Sequence, residues 1–270
     1  MGESDEALAS GPTVGDWDWS AQAAEWVELW ADLAQPAREE VAEATAIGTG
    51  MHLLDIGCGT GEFCRFAASR GAVASGIDGA EGMIEIARKL GPGIDLRVGT
   101  MERLPWPADS FDVVTGFNVF QFAADPVGAL VEAKRVARPG GKVVICNWGR
   151  MADRELFAVL DPLRELLASP VPAPPSPARP AFGEPGVLEE LSTRAGLEPR
   201  RASEVDVPYV APDRATLERA LMVDVGHLRA DERAGRKAVQ RVIDGAAARF
   251  RRPDGSYRFE NKFRYLITLA

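Results

Sequence analysis

The segment Met51–Gly61 carries one acid and three glycines at alternating positions: Asp55, Gly57, Gly59 and Gly61. The apolar run at 53–56 predicts a strand that is buried on both faces, and the apolar pattern at 63–67 predicts a helix directly after the glycines. Glycines allow positive φ and let a ligand lie against the backbone. The first N–H groups of the following helix are free to bind polar or anionic groups. This segment therefore predicts a ligand cradle.

The neighbours of the third glycine narrow the choice of ligand. A dinucleotide-binding loop requires a sixth-position glycine, where this chain has Glu62, and a phosphate-binding loop requires Lys followed by Ser or Thr, where it has Glu62-Phe63. Glu62 would repel a pyrophosphate, whereas Asp55 at the end of the strand suits a cationic ligand. An amino group or a sulfonium fits this description.

The cradle requires strands and helices on either side of it, and their signals alternate along the chain. Further strands are predicted at Ala72–Ile77, Asp95–Val98, Phe111–Gly116, Lys142–Cys146, Arg200–Val207 and Ser256–Ala270. Helices are predicted at Ser20–Leu33, Ala37–Ala46, Glu62–Arg70, Ala80–Leu90, from 126 to the Pro-Gly stop at 139–141, and at Arg154–Leu167, Val187–Ala195, Asp213–Arg229 and Ala234–Phe250. This order predicts an α/β fold with a parallel sheet covered on both faces.

Four units follow from the changes in pattern. We expect an N-terminal helical lid at 1–46, a ligand-binding core at 47–150, a helical and proline-rich insertion at 151–185, and the rest of the core at 186–270 with a helical lid insertion at about 211–252. The strand at Ser256–Ala270 closes the chain.

Composition excludes several classes of protein. The chain has 270 residues, 46% of them hydrophobic, and a net charge of −9, which argues against broad binding of nucleic acid. It has no membrane-spanning apolar run and no basic-then-apolar order at its start, so we expect a cytoplasmic protein. Its three cysteines lack metal-site spacing and are expected to be reduced and buried.

A second acid lies 21 residues after Gly57 at the end of the next predicted strand, where Asp78 follows Ile77. Ligands of parallel sheets bind outside the carboxyl ends of the strands. An acid there can accept both hydroxyls of a ribose, while the alternative is a cap for the next helix. The sequence spacing between Gly57 and Asp78 favours the ribose-binding role over the helix cap.

The segments Asp55–Gly61, Gly76–Met83, Gly99–Trp106 and Ala137–Lys142 together resemble the motifs of class I S-adenosylmethionine-dependent methyltransferases. The resemblance covers Met51–Asn147 well and the rest loosely or not at all. It implies a Rossmann-like, doubly wound and mostly parallel seven-stranded sheet with an antiparallel last strand, to which this chain adds helical lid insertions. S-adenosylmethionine is the implied cofactor.

The resemblance also implies the residues that bind this cofactor. They are Asp55, Gly57, Cys58, Gly59, Gly61, Asp78, Gly79, Met83, Thr100, Met101, Glu102, Phe117, Asn118 and Phe122. The chain departs from the family at two of these positions. A carboxylate often stands at the position of Thr100 to accept from the adenine amino group, and many relatives carry a histidine near the position of Phe122, where an aromatic ring cannot take a proton.

The acceptor site is predicted less directly. The helical spacing of Trp26 and Trp30 favours burial on the flank of the domain, whereas Trp17 and Trp19 precede the helix and are better placed to touch a ligand. The predicted acceptor-binding residues are Trp17, Trp19, Phe120 and Trp148. Apolar helices in the insertions predict a small, fairly hydrophobic acceptor. Of two histidines, His52 begins the first strand away from the ligand, and His227 is a candidate base, although a lid histidine is more often solvated.

These observations predict a methyltransferase for a small molecule, with the O-, N- or C-atom undetermined. A cofactor-binding module without catalysis, and a methyltransferase for protein or RNA, are the alternatives. We expect a small-molecule substrate as the partner, and no nucleic acid, membrane or metal. The sequence leaves a homodimer open.

Overall fold

A computed structural model describes residues 19–167, 180–225 and 234–270 of the chain. Its helices are α1 (Trp19–Leu29), α2 (Gln35–Thr45), α3 (Glu62–Ser69), α4 (Glu81–Leu90), α5 (Pro126–Val136), α6 (Phe157–Leu167), α7 (Val187–Arg194), α8 (Arg214–Val225) and α9 (Arg236–Ala247). Its strands are β1 (His52–Ile56), β2 (Val73–Asp78), β3 (Asp95–Val98), β4 (Phe111–Phe117), β5 (Ala137–Trp148), β6 (Glu198–Asp206), β7 (Tyr209–Ala211), β8 (Tyr257–Phe259) and β9 (Lys262–Leu269).

Seven strands form the main sheet in the order β3-β2-β1-β4-β5-β9-β6. The pairs among β1 to β5 are parallel, and β9 lies between β5 and β6, antiparallel to both. The predicted Rossmann-like, mostly parallel sheet with an antiparallel last strand is confirmed. Strand order reverses between β1 and β4, and ligands of such sheets bind outside the carboxyl ends at that point.

Local sequence explains the central elements. Strands β1 and β4 are apolar and almost wholly buried, as strands covered on both faces must be. The side chain of Asp125 accepts the N–H of Val127 at 3.0 Å and so caps α5. On α5, Leu130 is buried, whereas Val131 is 47% exposed because Ala129, Ala133 and Val136 face the sheet instead.

The apolar side chains form three clusters. One packs α5 and α7 on one face of the sheet, and a second packs α2, α3 and α4 on the other. The third joins the end of α1 to α6, β7, α8, α9 and β8, and we call these elements the cap. The two-stranded sheet β7-β8 belongs to the cap and lies apart from the main sheet.

The end of the chain differs from the prediction of one long strand at Ser256–Ala270. The break falls at Asn261, whose amide oxygen accepts the N–H of Leu156 and whose amide nitrogen donates to the carbonyl of Phe259. The chain therefore leaves the cap at β8 and enters the main sheet as β9. The periodicity of residues 256–270 contains no sign of this change of sheet, because both strands are apolar.

Two smaller differences concern the ends of helices. Ser20 lies inside α1, and its hydroxyl accepts the N–H of Gly82 in the first turn of α4 at 3.0 Å. Ser20 therefore does not begin the helix, although the predicted range started at this residue. Strand β5 begins at Ala137 rather than Lys142, with an irregular register opposite Phe111 and Val113. No described helix is both long enough and apolar enough to span a bilayer.

Candidate functional site

The glycine bend after β1 is held against the end of β2 by backbone hydrogen bonds. The N–H groups of Gly57 and Cys58 both donate to the carbonyl of Ile77, at 2.8 and 3.0 Å. Gly57, Gly59 and Gly61 have φ values of 66°, 54° and 81°, in the left-handed region that favours glycine. These N–H groups of the bend are therefore already hydrogen-bonded within the protein. A ligand would contact the outer surface of the bend and the acids beside it.

Asp78 lies at the junction of this bend and α4. Its Oδ2 accepts the N–H of Gly59 and its Oδ1 accepts the N–H of Ala80, both at 2.9 Å. Burial raises the pKa of Asp78, and the two backbone donors oppose that rise. The carboxylate therefore braces the start of α4, as the alternative role predicted, and it also lines a cavity.

This cavity has a volume of about 630 Å³ and opens at the carboxyl ends of β1, β2 and β4. Its size lies within the range of about 300–1,000 Å³ that is usual for ligand sites. Thirteen of the fourteen predicted cofactor residues line it: Asp55, Gly57, Cys58, Gly59, Asp78, Gly79, Met83, Thr100, Met101, Glu102, Phe117, Asn118 and Phe122. The structure therefore brings together residues that are spread over 68 positions of the chain.

The other predicted site residues lie elsewhere. Gly61 precedes α3, where an added Cβ would stand 3.2 Å from Cβ of Ala87, so it serves the packing of α3 on α4. Phe120 is 1% exposed in the core beside α5, so its prediction as an acceptor residue is wrong. Trp148 does not line the cavity either and packs edge-on against Phe157 and Phe263.

Both remaining candidates, Trp17 and His227, lie outside the described residues. His52 begins β1, at the edge of the sheet opposite the cavity. In the part of the chain that the structure covers, no group of His, Cys, Asp and Glu side chains is arranged to hold a metal ion.

Asp55 is the buried acid of the site. It is 3% exposed, and the hydroxyl of Thr115, its register partner on β4, donates to its Oδ1 at 2.7 Å. Burial raises the pKa of Asp55 to about 7, while Thr115 and the nearby guanidinium of Arg38 lower it. The carboxyl is thus poised to ionise when a cation binds beside it.

Arg38 is the main residue that the sequence analysis missed. It extends from α2 into the cavity, where it is the only Lys or Arg among the described lining residues. Its Nη1 donates to the carbonyl of Ala31 at 2.6 Å, and its Nη2 lies 3.9 Å from Oε2 of Glu62. Burial lowers the pKa of this guanidinium. Its helix carries no motif, so only a charge at an otherwise buried helix position could have identified it.

Helix α1 covers the cavity, with Trp19 and Trp26 in its lining. Trp26 was interpreted as a residue buried on the flank, but only Trp30, at 5% exposure, is packed away in this manner. The leucines of the insertions also differ from expectation. Leu156, Leu160, Leu163 and Leu217 are at most 1% exposed inside the cap, and no described residue from 148 onward lines the cavity.

Comparison with known proteins identifies this architecture. Residues 54–145 match the methyltransferase domain family. The chain is 34% identical over 130 residues to a ubiquinone biosynthesis O-methyltransferase of Hahella chejuensis, an alignment that covers 46% of this chain and 55% of that protein. It is 32% identical over 168 residues to the ubiquinone biosynthesis O-methyltransferase of Pseudomonas aeruginosa, which covers 60% of this chain and 71% of that protein.

Among solved structures, the YcgJ protein of Bacillus subtilis has a TM-score of 0.55 and 18% identity, over 86% of this chain and 97% of that one. This likeness shows the shared fold. The chain spans little more than half of the Hahella protein, but more than two thirds of the Pseudomonas protein. It belongs to the S-adenosylmethionine-dependent methyltransferases, and S-adenosylmethionine is the cofactor that this membership implies.

The cavity suits that cofactor in charge and in shape. Asp55, Glu62, Asp78 and Glu102 line it, which favours a molecule that carries a sulfonium and an ammonium group. An added Cβ at Gly59 would meet only Oε2 of Glu62, at 4.0 Å, so the absence of a side chain leaves open space against the bend. Arg38 offers a cation to the single carboxylate of the cofactor.

Proposed function

We propose that this protein is an S-adenosylmethionine-dependent methyltransferase that transfers a methyl group to a small, fairly hydrophobic metabolite. One observation carries the proposal: the glycine bend, the carboxylates of Asp55 and Asp78, and the guanidinium of Arg38 line one cavity at the switch point of the sheet. This combination matches a ligand that has ribose hydroxyls, two cationic groups and one carboxylate.

Each part of the cofactor has a partner in this proposal. Asp78 accepts the ribose hydroxyls, because it ends β2 beside the bend. The segment 99–102 and Met83 hold the adenine, and Arg38 binds the carboxylate of the methionine arm. Asn118 has φ 52°, and its amide oxygen accepts the N–H of Trp148 at 2.9 Å, which ties the ends of β4 and β5 together beside that arm.

When bound, S-adenosylmethionine supplies a methyl group already activated on sulfur. The protein then has to hold the acceptor atom in line with the S–CH₃ bond, and such positioning can lower a barrier by about 7–11 kcal/mol. Helix α1 lies over the cavity and excludes water from it. The acidic lining binds the cationic cofactor more strongly than its neutral sulfur product, which favours release after transfer.

A small acceptor agrees with a cavity that α1 covers and with the net charge of −9. The relatives from Hahella and Pseudomonas are named as O-methyltransferases of ubiquinone biosynthesis, which supports oxygen as the methylated atom here. A protein or RNA acceptor would require an open and basic surface at the mouth. The exposed aromatic ring of Phe122 supports an apolar acceptor instead.

Isothermal titration with S-adenosylmethionine and S-adenosylhomocysteine, followed by transfer of a labelled methyl group to a metabolite extract, tests the proposal. We expect saturable binding of both compounds and labelled product in the organic phase. Binding without transfer to any extract would indicate a non-catalytic cofactor-binding module. Absence of binding would refute the proposal, and label in protein or RNA would overturn the assignment of a small acceptor.

A further inference from the structure

We propose that the acceptor is a flat aromatic compound without an anionic group, and that Trp26 is the specificity-determining residue against which it packs. This inference rests on the proposed function and narrows its substrate class. It is carried by the aromatic wall of the cavity, by the rigid support behind that wall, and by the absence of a second cation among the described lining residues.

The aromatic wall consists of Trp19 and Trp26 on α1 and Phe122 after β4. The rings of Trp19 and Trp26 are perpendicular, with centroids 5.5 Å apart. Phe122 is 39% exposed although its neighbour Phe120 is 1% exposed. An exposed aromatic side chain beside a cavity marks a binding surface when it lies next to other apolar rings.

Trp26 is held in place before any ligand arrives. Its ring stacks on Trp30 with centroids 6.1 Å apart and planes inclined by 11°, and Trp30 stacks in turn on Tyr209 at 5.3 Å. The indole N–H of Trp30 donates to the carbonyl of Ala220 at 2.9 Å. A wall fixed by the cap loses little entropy when it binds a rigid ring, so this site favours flat ligands.

Charge pairs between α1 and the cap add to this support. Arg219 on α8 lies 2.9 Å from a carboxylate oxygen of Glu25 and 2.8 Å from one of Glu28, both on α1. These groups lie at the surface, so each pair contributes little to stability. They join α1 to α8, and Trp26 lies between Glu25 and Glu28 in the sequence and lines the cavity.

The wall extends away from the site of the ribose. Ser20 contacts Gly82 near Asp78, and Trp26 follows Ser20 by six residues, or about 9 Å along a helix. Phe122 follows β4, which lies two strands from β2 in the sheet, or about 10 Å at the usual strand spacing. We therefore assign Trp26 and Phe122 to the part of the cavity away from Asp78, where an acceptor would approach the methyl group.

The charges of the cavity select against an anionic acceptor. Arg38 is the only described Lys or Arg in the lining, it lies beside Glu62, and the cofactor carboxylate requires it. A carboxylate on the acceptor would enter next to Asp55 and Glu62 without a cation to pair with. Burial of an unpaired charge is strongly unfavourable, so the site disfavours an acceptor that carries an anionic group.

Three probes of similar size separate flatness from charge: 2-naphthol, 6-hydroxy-2-naphthoate and decahydro-2-naphthol. Each is titrated calorimetrically into the protein with and without saturating S-adenosylhomocysteine. We expect 2-naphthol to bind, and the carboxylate and the saturated alcohol each to bind about tenfold more weakly, a difference of about 1.4 kcal/mol. The carboxylate would leave a charge unpaired, and the saturated alcohol would lose the aromatic contact.

Two variants test whether the aromatic wall causes the preference for 2-naphthol. Trp26→Leu should weaken 2-naphthol binding about tenfold, whereas Trp26→Phe, which keeps an aromatic ring, should weaken it no more than about threefold. Both variants should bind S-adenosylhomocysteine like the wild type, because Trp26 is assigned to the part of the cavity away from Asp78. This unchanged affinity also shows that each variant is folded.

The inference is overturned if 2-naphthol does not bind, if either other probe binds as tightly, or if Trp26→Leu leaves 2-naphthol binding unchanged. It is also overturned if both variants lose S-adenosylhomocysteine and 2-naphthol to the same extent, since Trp26 would then support the cofactor. Failure of S-adenosylhomocysteine to bind the wild type would refute the proposed function instead, and the titrations without it would still decide the preference for a flat ring without an anionic group.

Discussion

Asp78 and Gly59 are joined by a hydrogen bond of 2.9 Å in which the N–H of Gly59 donates to the carboxylate. The acid at the end of β2 thus holds the glycine bend at the end of β1, although 19 residues separate the two. The same carboxylate accepts the N–H of Ala80 before α4. One side chain therefore holds together the glycine bend and the start of α4, at the place where we propose that the ribose of the cofactor binds.

Replacement of Asp78 tests this double role. Asp78→Ala should bind S-adenosylhomocysteine markedly more weakly and should lower the free energy of unfolding by about 1–2 kcal/mol, because two N–H groups lose their acceptor. Asp78→Asn retains one acceptor oxygen and should lose less stability. Calorimetry and urea denaturation measure the two effects. Unchanged affinity of Asp78→Ala would show that the ribose binds elsewhere.

Arg38 is expected to recognise only the methionine arm of the cofactor. Arg38→Met should bind S-adenosylhomocysteine at least about tenfold more weakly, as expected for loss of a charge-assisted hydrogen bond. Its affinity for 5′-methylthioadenosine, which lacks the amino and carboxylate groups, should not change. Arg65→Met is the matched control, because Arg65 also lies near Glu62, at 4.0 Å, but does not line the cavity. Equal losses for both ligands would contradict the assignment.

The buried Asp55 should make stability depend on pH. Its pKa is about 7 in the folded protein and 3.8 is its ordinary value, so the folded state binds a proton that the unfolded chain has released. The free energy of unfolding contributed by Asp55 therefore falls as pH rises from about 4 to about 7. Urea denaturation across this range should show a smaller fall for Asp55→Asn, which cannot titrate. Identical pH profiles would exclude this role.

The same group should link cofactor binding to pH. A cation in the cavity favours the ionised form of Asp55, so the affinity for S-adenosylmethionine should rise as pH increases through about 7, and binding should release protons. Titration calorimetry in buffers with different ionisation enthalpies measures this release. Asp55→Asn should bind more weakly and release fewer protons, and an equal release in both proteins would contradict the prediction.

The contact of α1 with α4 requires glycine at position 82. A Cβ there would lie 2.7 Å from the carbonyl oxygen of Ser20 and 2.8 Å from its Cα. Gly82→Ala should therefore destabilise the protein by about 1–3 kcal/mol as the helices move apart, and it should weaken cofactor binding. Urea denaturation and calorimetry measure both.

Gly245→Ala provides the matched control. Gly245 lies inside α9, where an added Cβ meets no atom within 4 Å. The same substitution should there raise the free energy of unfolding by about 0.5–1 kcal/mol, because alanine favours a helix. A destabilised Gly245→Ala, or a fully stable Gly82→Ala, would show that the close approach of α1 is not the cause.

Much of the core follows from local sequence. The acid and glycines at 55–61, the apolar strands around them and the acid Asp78 lie within short stretches, where the residue types limit the backbone to few conformations. Thirteen of the fourteen cofactor residues that the family resemblance implied line the cavity, whereas the order of the strands is known only from the structure. Phe120 was misplaced because residues two positions apart in the short turn Phe120–Phe122 differ in burial, with Phe120 in the core and Phe122 exposed.

The packing of the predicted lid could not be inferred from the sequence, because it depends on contacts between segments that are distant in the chain. The apolar helices of the insertions predicted a hydrophobic acceptor site, but their leucines bury one another in the cap. An amphipathic helix indicates that one face is covered and does not indicate by what. The covered face is decided when α6, α8 and α9 meet in space.

The amino-acid sequence by itself determined the sheet, the glycine bend and the acids beside it, because each depends on the backbone preferences and spacing of neighbouring residues. Only the tertiary structure decided that Arg38 enters the cavity, that Trp26 lines it and that Trp30 does not. Those positions depend on how α1 and α2 pack across elements far away in the chain, and packing between distant segments is not encoded in any single stretch.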